Sequence, residues 1–105
     1  MKFDHIAIVV ANISKSIEWY SERFPEFKLL YSDATWAIAN IGELRLAFVL
    51  KTEHPRHIAF TPEEELIHPD FMDKPTKLHR DGTSSFYIND PDGNTIEILF
   101  GAKNG

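Results

Sequence analysis

FYINDPDGNTIEILF, Phe86 to Phe100, reads as a β-hairpin. Two strand-like runs, Phe86–Asn89 and Thr95–Phe100, flank Asp90-Pro91-Asp92-Gly93. Proline at the second turn position has its φ already set, aspartate at the first bonds back to the turn backbone, and glycine closes the turn. The second run is apolar except for Glu97. Alternation places Glu97 on one face with Thr95 and Leu99, and Ile96, Ile98 and Phe100 on the other. A carboxylate within an apolar strand is costly unless a charge, a hydrogen bond or a metal meets it.

Working outward, the chain repeats itself. Lys2–Val10 is a β-branched, apolar strand with His5, Ala7 and Val9 on one face. A helix is expected from about Ser14, as N-cap, to Phe24. It is marked by the stripe Ile13, Ile17, Tyr20 and Phe24 and stopped by Pro25. Strands follow at Phe27–Tyr31, Trp36–Ile41 and Leu44–Lys51. The second half opens with a strand, Arg56–Phe60. A short helix is then expected at Thr61-Pro62-Glu63-Glu64, with a capping box. An irregular stretch, a strand near Thr76–Arg80 and the hairpin complete it. His5-Ile6-Ala7-Ile8 returns as His57-Ile58-Ala59-Phe60, and the turn glycine Gly42 returns as Gly93. A repeat of half the chain implies two copies of one β-α-β-β-β unit, about 1–53 and 54–105, within a single α+β domain.

Composition bounds the function. Of 105 residues 43% are hydrophobic, enough for one core, and the net charge is −5. No basic run or stripe points to nucleic acid, and no apolar run approaches the ~20 residues that span a bilayer. MKFDHIAIVV reads as a first strand rather than a leader, so a cytoplasmic location is expected. There are no cysteines, which removes disulfides, zinc–thiolate sites and cysteine nucleophiles.

His5 and His57 occupy equivalent places in the two first strands, and Glu97 lies in the last. Two imidazoles and one carboxylate with open positions form the facial triad suited to non-haem Fe(II) and related divalent ions. Fe, Mn, Zn or Ni are all compatible with this donor set. His54, His68 and His79 are read as solvated surface. Arg45 and Lys77 are the candidate cations for an anionic substrate, and Trp36, Phe48, Phe86 and Tyr87 are either cleft lining or core. No Ser-His-Asp arrangement stands out.

DHIAIVV with His5, SIEWY on the first helix, HIAF with His57 and DPDGNTIEI with Glu97 together resemble the vicinal oxygen chelate superfamily. That superfamily includes glyoxalase I, extradiol dioxygenases, fosfomycin-resistance enzymes and bleomycin-binding proteins. The resemblance implies two tandem modules forming an open U-shaped, barrel-like cleft with the helices outside. It also implies a divalent metal held by His5, His57 and Glu97, and a homodimer in which two chains share the cleft. The expected function is a metal-dependent enzyme acting on a small oxygen-chelating substrate, as a lyase, dioxygenase or thiol transferase. The alternative is a metal-free, bleomycin-resistance-like binding protein. Glyoxalase I has a fourth, acidic ligand on the last strand of the first module. Counting places it at Leu46 or Arg45, and neither is an acid. GTSSFYINDPDG is similar to fosfomycin-resistance enzymes, which implies that Ser85, Tyr87 and Lys77 lie near an anionic substrate group. Ala7 replaces the hydroxyl expected there beside the first histidine.

Overall fold

The computed structural model describes residues 1–63, 68–71, 74–79 and 81–101. Its strands are β1 (Lys2–Val9), β2 (Phe27–Ser32), β3 (Trp36–Ile41), β4 (Leu44–Val49), β5 (His57–Thr61), β6 (Lys77–Leu78), β7 (Ser84–Asn89) and β8 (Thr95–Phe100). One helix, α1 (Ile13–Arg23), and a 3-10 turn at Pro69–Phe71 complete the described elements. The helix expected after Thr61 falls largely on residues outside the described set. The chain divides into two compact units, His5–His57 and Met1–Asp4 with Ile58–Gly105.

In the His5–His57 unit the strand order is β2-β3-β4-β1. β1 and β4 run parallel, with Ile6 opposite Leu46 and Ala7 opposite Ala47. The other two pairs are antiparallel. Alternation gives this sheet two unlike faces. Ile6, Ile8, Leu46 and Phe48 pack with Ala37 against Ile13, Ile17 and Tyr20 of α1. Ala7, Val9, Ala47 and Val49 form a separate cluster on the opposite face. Alternation and ladder register add His5, Arg45 and Trp36 to that second face.

The helix starts two residues earlier than the Ser14 cap implies. Asn12 is the N-cap: its backbone is extended and its side chain accepts from the Lys15 amide at 2.9 Å. Ile13, buried under the sheet, is thereby already helical. The helix ends at Arg23, and its C-cap Phe24 is extended, as Pro25 requires of the residue before it.

In the second unit the order is β5-β8-β7-β6, with β5 and β8 parallel. This is the order of the first unit, so the repeat read from the sequence is a repeat of topology. One face carries Ile58, Phe60, Phe86, Ile88, Ile96, Ile98 and Phe100, by register. Phe71 and Phe100 both pack on Phe86, at 6.2 and 5.9 Å between ring centroids. The other face carries Ala59, Lys77, Ser85, Tyr87, Glu97 and Leu99.

Three turns between strands use one device, an aspartate that gathers backbone and side-chain donors. Asp33 accepts from Tyr31, from the Thr35 amide and hydroxyl, and from the Trp36 amide. Asp81 accepts from the Thr83 amide and hydroxyl. Asp90 accepts from the amides of Asp92 and Asn94 and from the Asn94 side chain. These bonds favour the ionised form. The Tyr31 hydroxyl above all holds Asp33 below the usual carboxylate range, Thr83 does so for Asp81, and Asn94 for Asp90. A carboxyl whose folded pKa is depressed stabilises fully above its unfolded value of about 4 and loses that contribution as pH falls through the folded value. Melting temperature is therefore expected to fall on acidification below about pH 4. Asp90→Ala should melt lower at neutral pH and show a shallower acid fall, read by circular dichroism.

Candidate functional site

His5 and His57 meet within the first unit. Their Nε2 atoms lie 3.3 Å apart and the rings cross at 75° with centroids 5.3 Å apart. His57 is 5% exposed. Its Nδ1 lies 2.8 Å from the Pro55 carbonyl oxygen, which can only accept, so Nδ1 carries the proton. In neutral His57 this leaves the lone pair on Nε2, directed at His5. A backbone carbonyl on the far nitrogen is the usual means of fixing a metal-binding histidine in one tautomer. Without an ion that lone pair accepts from His5 Nε2–H; with one, it is a ready ligand.

Glu97 stands in the second unit, 4% exposed, midway along β8. Its ladder partners are Ala59 and Tyr87. Ser85 Oγ donates to Glu97 Oε2 at 2.8 Å, and His79 Nε2 lies 2.7 Å from the same Oγ. Part of what meets the carboxylate is thus a hydroxyl held by a histidine. The sequence reading left His79 at the solvated surface, whereas its side chain is only 25% exposed. The sequence signal for it is the Asp81–Thr83 turn, which brings His79 opposite Thr83 and so beside Ser85.

This trio is not a nucleophile-activating triad. There, histidine takes the serine proton and the carboxylate holds the histidine. Here the serine proton goes to Glu97, so His79 donates to Ser85.

The remaining sequence candidates fall on two faces. Trp36 and Arg45 share the His5 face of the first sheet, where Trp36 packs on Tyr31 at 4.8 Å. Lys77, Ser85 and Tyr87 share the Glu97 face of the second. Burial first, and then the Glu97 charge, push the Tyr87 hydroxyl well above the ordinary phenol range, so it stays a neutral donor at physiological pH. Phe48 and Phe86 are core rather than lining.

Register corrects the place of a fourth acidic ligand. Ala59 pairs with Glu97 in the second unit, and Ala7 pairs with Ala47 in the first. The structural equivalent of Glu97 is therefore Ala47, neither Leu46 nor Arg45. It too is not an acid.

The described elements make an α+β fold in two units of one strand order. No family profile and no curated protein sequence matches the chain. Among solved structures, it is similar to a Legionella pneumophila protein described as an NAD-dependent benzaldehyde dehydrogenase. The identity is 22% over 90% of this chain and 96% of that one, with a TM-score of 0.68. It is similar more loosely to the fosfomycin resistance protein FosX of Listeria monocytogenes, at 20% identity over 97% and 94% of the chains and a TM-score of 0.43. A bleomycin-binding protein solved with bleomycin gives 15% identity over 97% and 100%, also at 0.43. At 22% identity the likeness to the Legionella protein is one of fold alone. The Gly-x-Gly-x-x-Gly run of a dinucleotide site is absent from this sequence. No helix among the described residues is long and apolar enough to cross a membrane.

Proposed function

We propose that the chain is a divalent-metal protein of the vicinal oxygen chelate type, with His5, His57 and Glu97 as its ligands, acting on a small substrate that offers two oxygens. The observation that carries this reading is the His5–His57 pair, two Nε2 atoms at 3.3 Å with one tautomer fixed by Pro55. The donor set of two imidazoles and a carboxylate fits a borderline divalent ion and leaves positions for substrate or water. Strand chemistry supports Glu97 as the third donor. His57 and Ala59 fall on one face of β5 by alternation, and Ala59 is the ladder partner of Glu97. When bound, the ion supplies Lewis acidity. Arg45, Lys77 and Tyr87 then hold and orient the anionic part of the substrate, and Trp36 packs against its apolar part; Ser85, also a sequence candidate for that role, has its one proton committed to Glu97.

The test is metal titration of purified chain. One Zn2+ or Co2+ per chain is expected, lost in His57→Ala. A chain that takes no ion yet binds an aromatic ligand contradicts this reading and supports the metal-free binding protein. We also propose a homodimer sharing the cleft, for which exposed Leu29, Leu30, Leu78 and Tyr87 supply apolar surface. Sedimentation at micromolar concentration should give a dimer, and a metal-bound monomer contradicts a shared site.

A further inference from the structure

We propose that His79 is a positioning residue for Glu97, acting through the Ser85 hydroxyl to fix the carboxylate that binds the divalent ion. This rests on the ligand assignment above and extends it to two further residues.

The argument is one of proton counting. A serine hydroxyl has one proton and two lone pairs. The Ser85 proton lies toward Glu97 Oε2 at 2.8 Å, an acceptor-only atom when the carboxylate is ionised. The 2.7 Å contact with His79 Nε2 must therefore be a bond that Ser85 accepts. His79 thus carries its proton on Nε2, and the chain runs His79 to Ser85 to Glu97 in one direction. Without His79 the hydroxyl is held by the Glu97 bond alone. With it, the lone pair facing His79 is occupied and the proton is held toward the carboxylate.

The fold supplies the placement. The His79 amide donates to the Thr83 carbonyl at 2.8 Å, and the Gly82 amide donates to the His79 carbonyl at 3.1 Å. Asp81 locks the same turn through both donors of Thr83. Ser85 is 3% exposed and Glu97 4%, so water does not substitute readily for either bond. A buried carboxylate ligand held from behind by a hydroxyl that is itself held by an imidazole is an outer shell of the kind that tunes metal affinity.

The experiment is Co2+ titration of the full chain against a competing chelator, with the visible spectrum of the bound ion recorded, for wild type, His79→Ala, His79→Gln, Ser85→Ala, the Ser85→Ala/His79→Ala double variant and Glu97→Gln. His79→Ala should weaken Co2+ binding about 10-fold and change the visible bands. His79→Gln, whose amide N–H reaches the same hydroxyl, should restore both. In the Ser85→Ala background, His79→Ala should add no further loss, because the bond it acts through is gone. Circular dichroism melts establish that each variant is folded. If His79→Ala does not fold, wild-type affinity in His79→Gln together with the Ser85→Ala loss supports the proposal, and a His79→Gln loss equal to that of Ser85→Ala overturns it. With Glu97→Gln losing the ion, unchanged binding in His79→Ala, or an equal loss in both backgrounds, overturns the His79 role alone. If Glu97→Gln retains the ion, the ligand assignment itself fails.

Discussion

Glu97→Gln should weaken divalent metal binding by about 100-fold or more, beyond the ~10–100-fold typical of losing an outer partner. The metal-free fold should hardly change. The substitution keeps the shape of the side chain and its acceptor oxygen, so Ser85 can still donate to it. It removes the negative charge, the one anionic donor of the set, and a neutral amide is easier to bury than a carboxylate. Metal-free stability is therefore expected to move by less than about 1 kcal/mol, read by urea unfolding in the presence of chelator. A structural role makes the opposite prediction. If Glu97 serves to balance a buried positive charge, the amide leaves that charge unpaired at a cost of ~3–5 kcal/mol, with metal binding untouched.

Phe48→Ala should lower stability by about 3–5 kcal/mol, a large part of the ~5–15 kcal/mol that holds a domain together. Phe48 is fully buried, lies 5.1 Å from the Tyr20 ring by centroid, and fills the layer between β4 and α1 with Ile13, Ala37 and Leu46. Truncation leaves a cavity that the flanking alanine cannot fill. The helix, packed on one sheet face only, should be the part that loosens, visible as lost amide protection over Ile17 to Arg23 in hydrogen exchange. A loss below about 1 kcal/mol would mean that α1 does not depend on this face.

The two predictions act on opposite faces of their sheets, and that division was legible in the sequence. The period-two pattern in HIAIV already separated His5, Ala7 and Val9 from Ile6 and Ile8, and the structure sets the helix against the second group alone. The hairpin was equally legible, because Asp90, Pro91 and Gly93 each have a distinct mechanical reason to stand where they do. The helix start was misplaced because Asn12 and Ser14 are both competent caps. Burial of Ile13 under the sheet selects Asn12, and burial is a tertiary fact.

The place of the fourth acid was misread for a similar reason. β1 and β4 pair at a separation of 47 − 7 = 40 residues, whereas β5 and β8 pair at 97 − 59 = 38. The two modules thus differ by two residues of connection; counting from the histidine carries the whole difference into the alignment and counting from the turn glycine carries one residue of it. His79 was missed because the Asp81–Thr83 turn, the one signal for its place, does not by itself say which side chain the histidine meets. Its role depends on the short β6–β7 ladder and the aspartate-held turn that follows it.

Whether His5 and His57 bind the ion through Nε2 is read by nitrogen-detected NMR of the histidine side chains before and after one equivalent of Zn2+. The Nε2 resonances of both residues should shift to the metal-bound range while His57 Nδ1 keeps its proton, bonded to the Pro55 carbonyl. Side-chain signals of His5 and His57 that do not respond to Zn2+, or coordination of His57 through Nδ1, would contradict binding through Nε2.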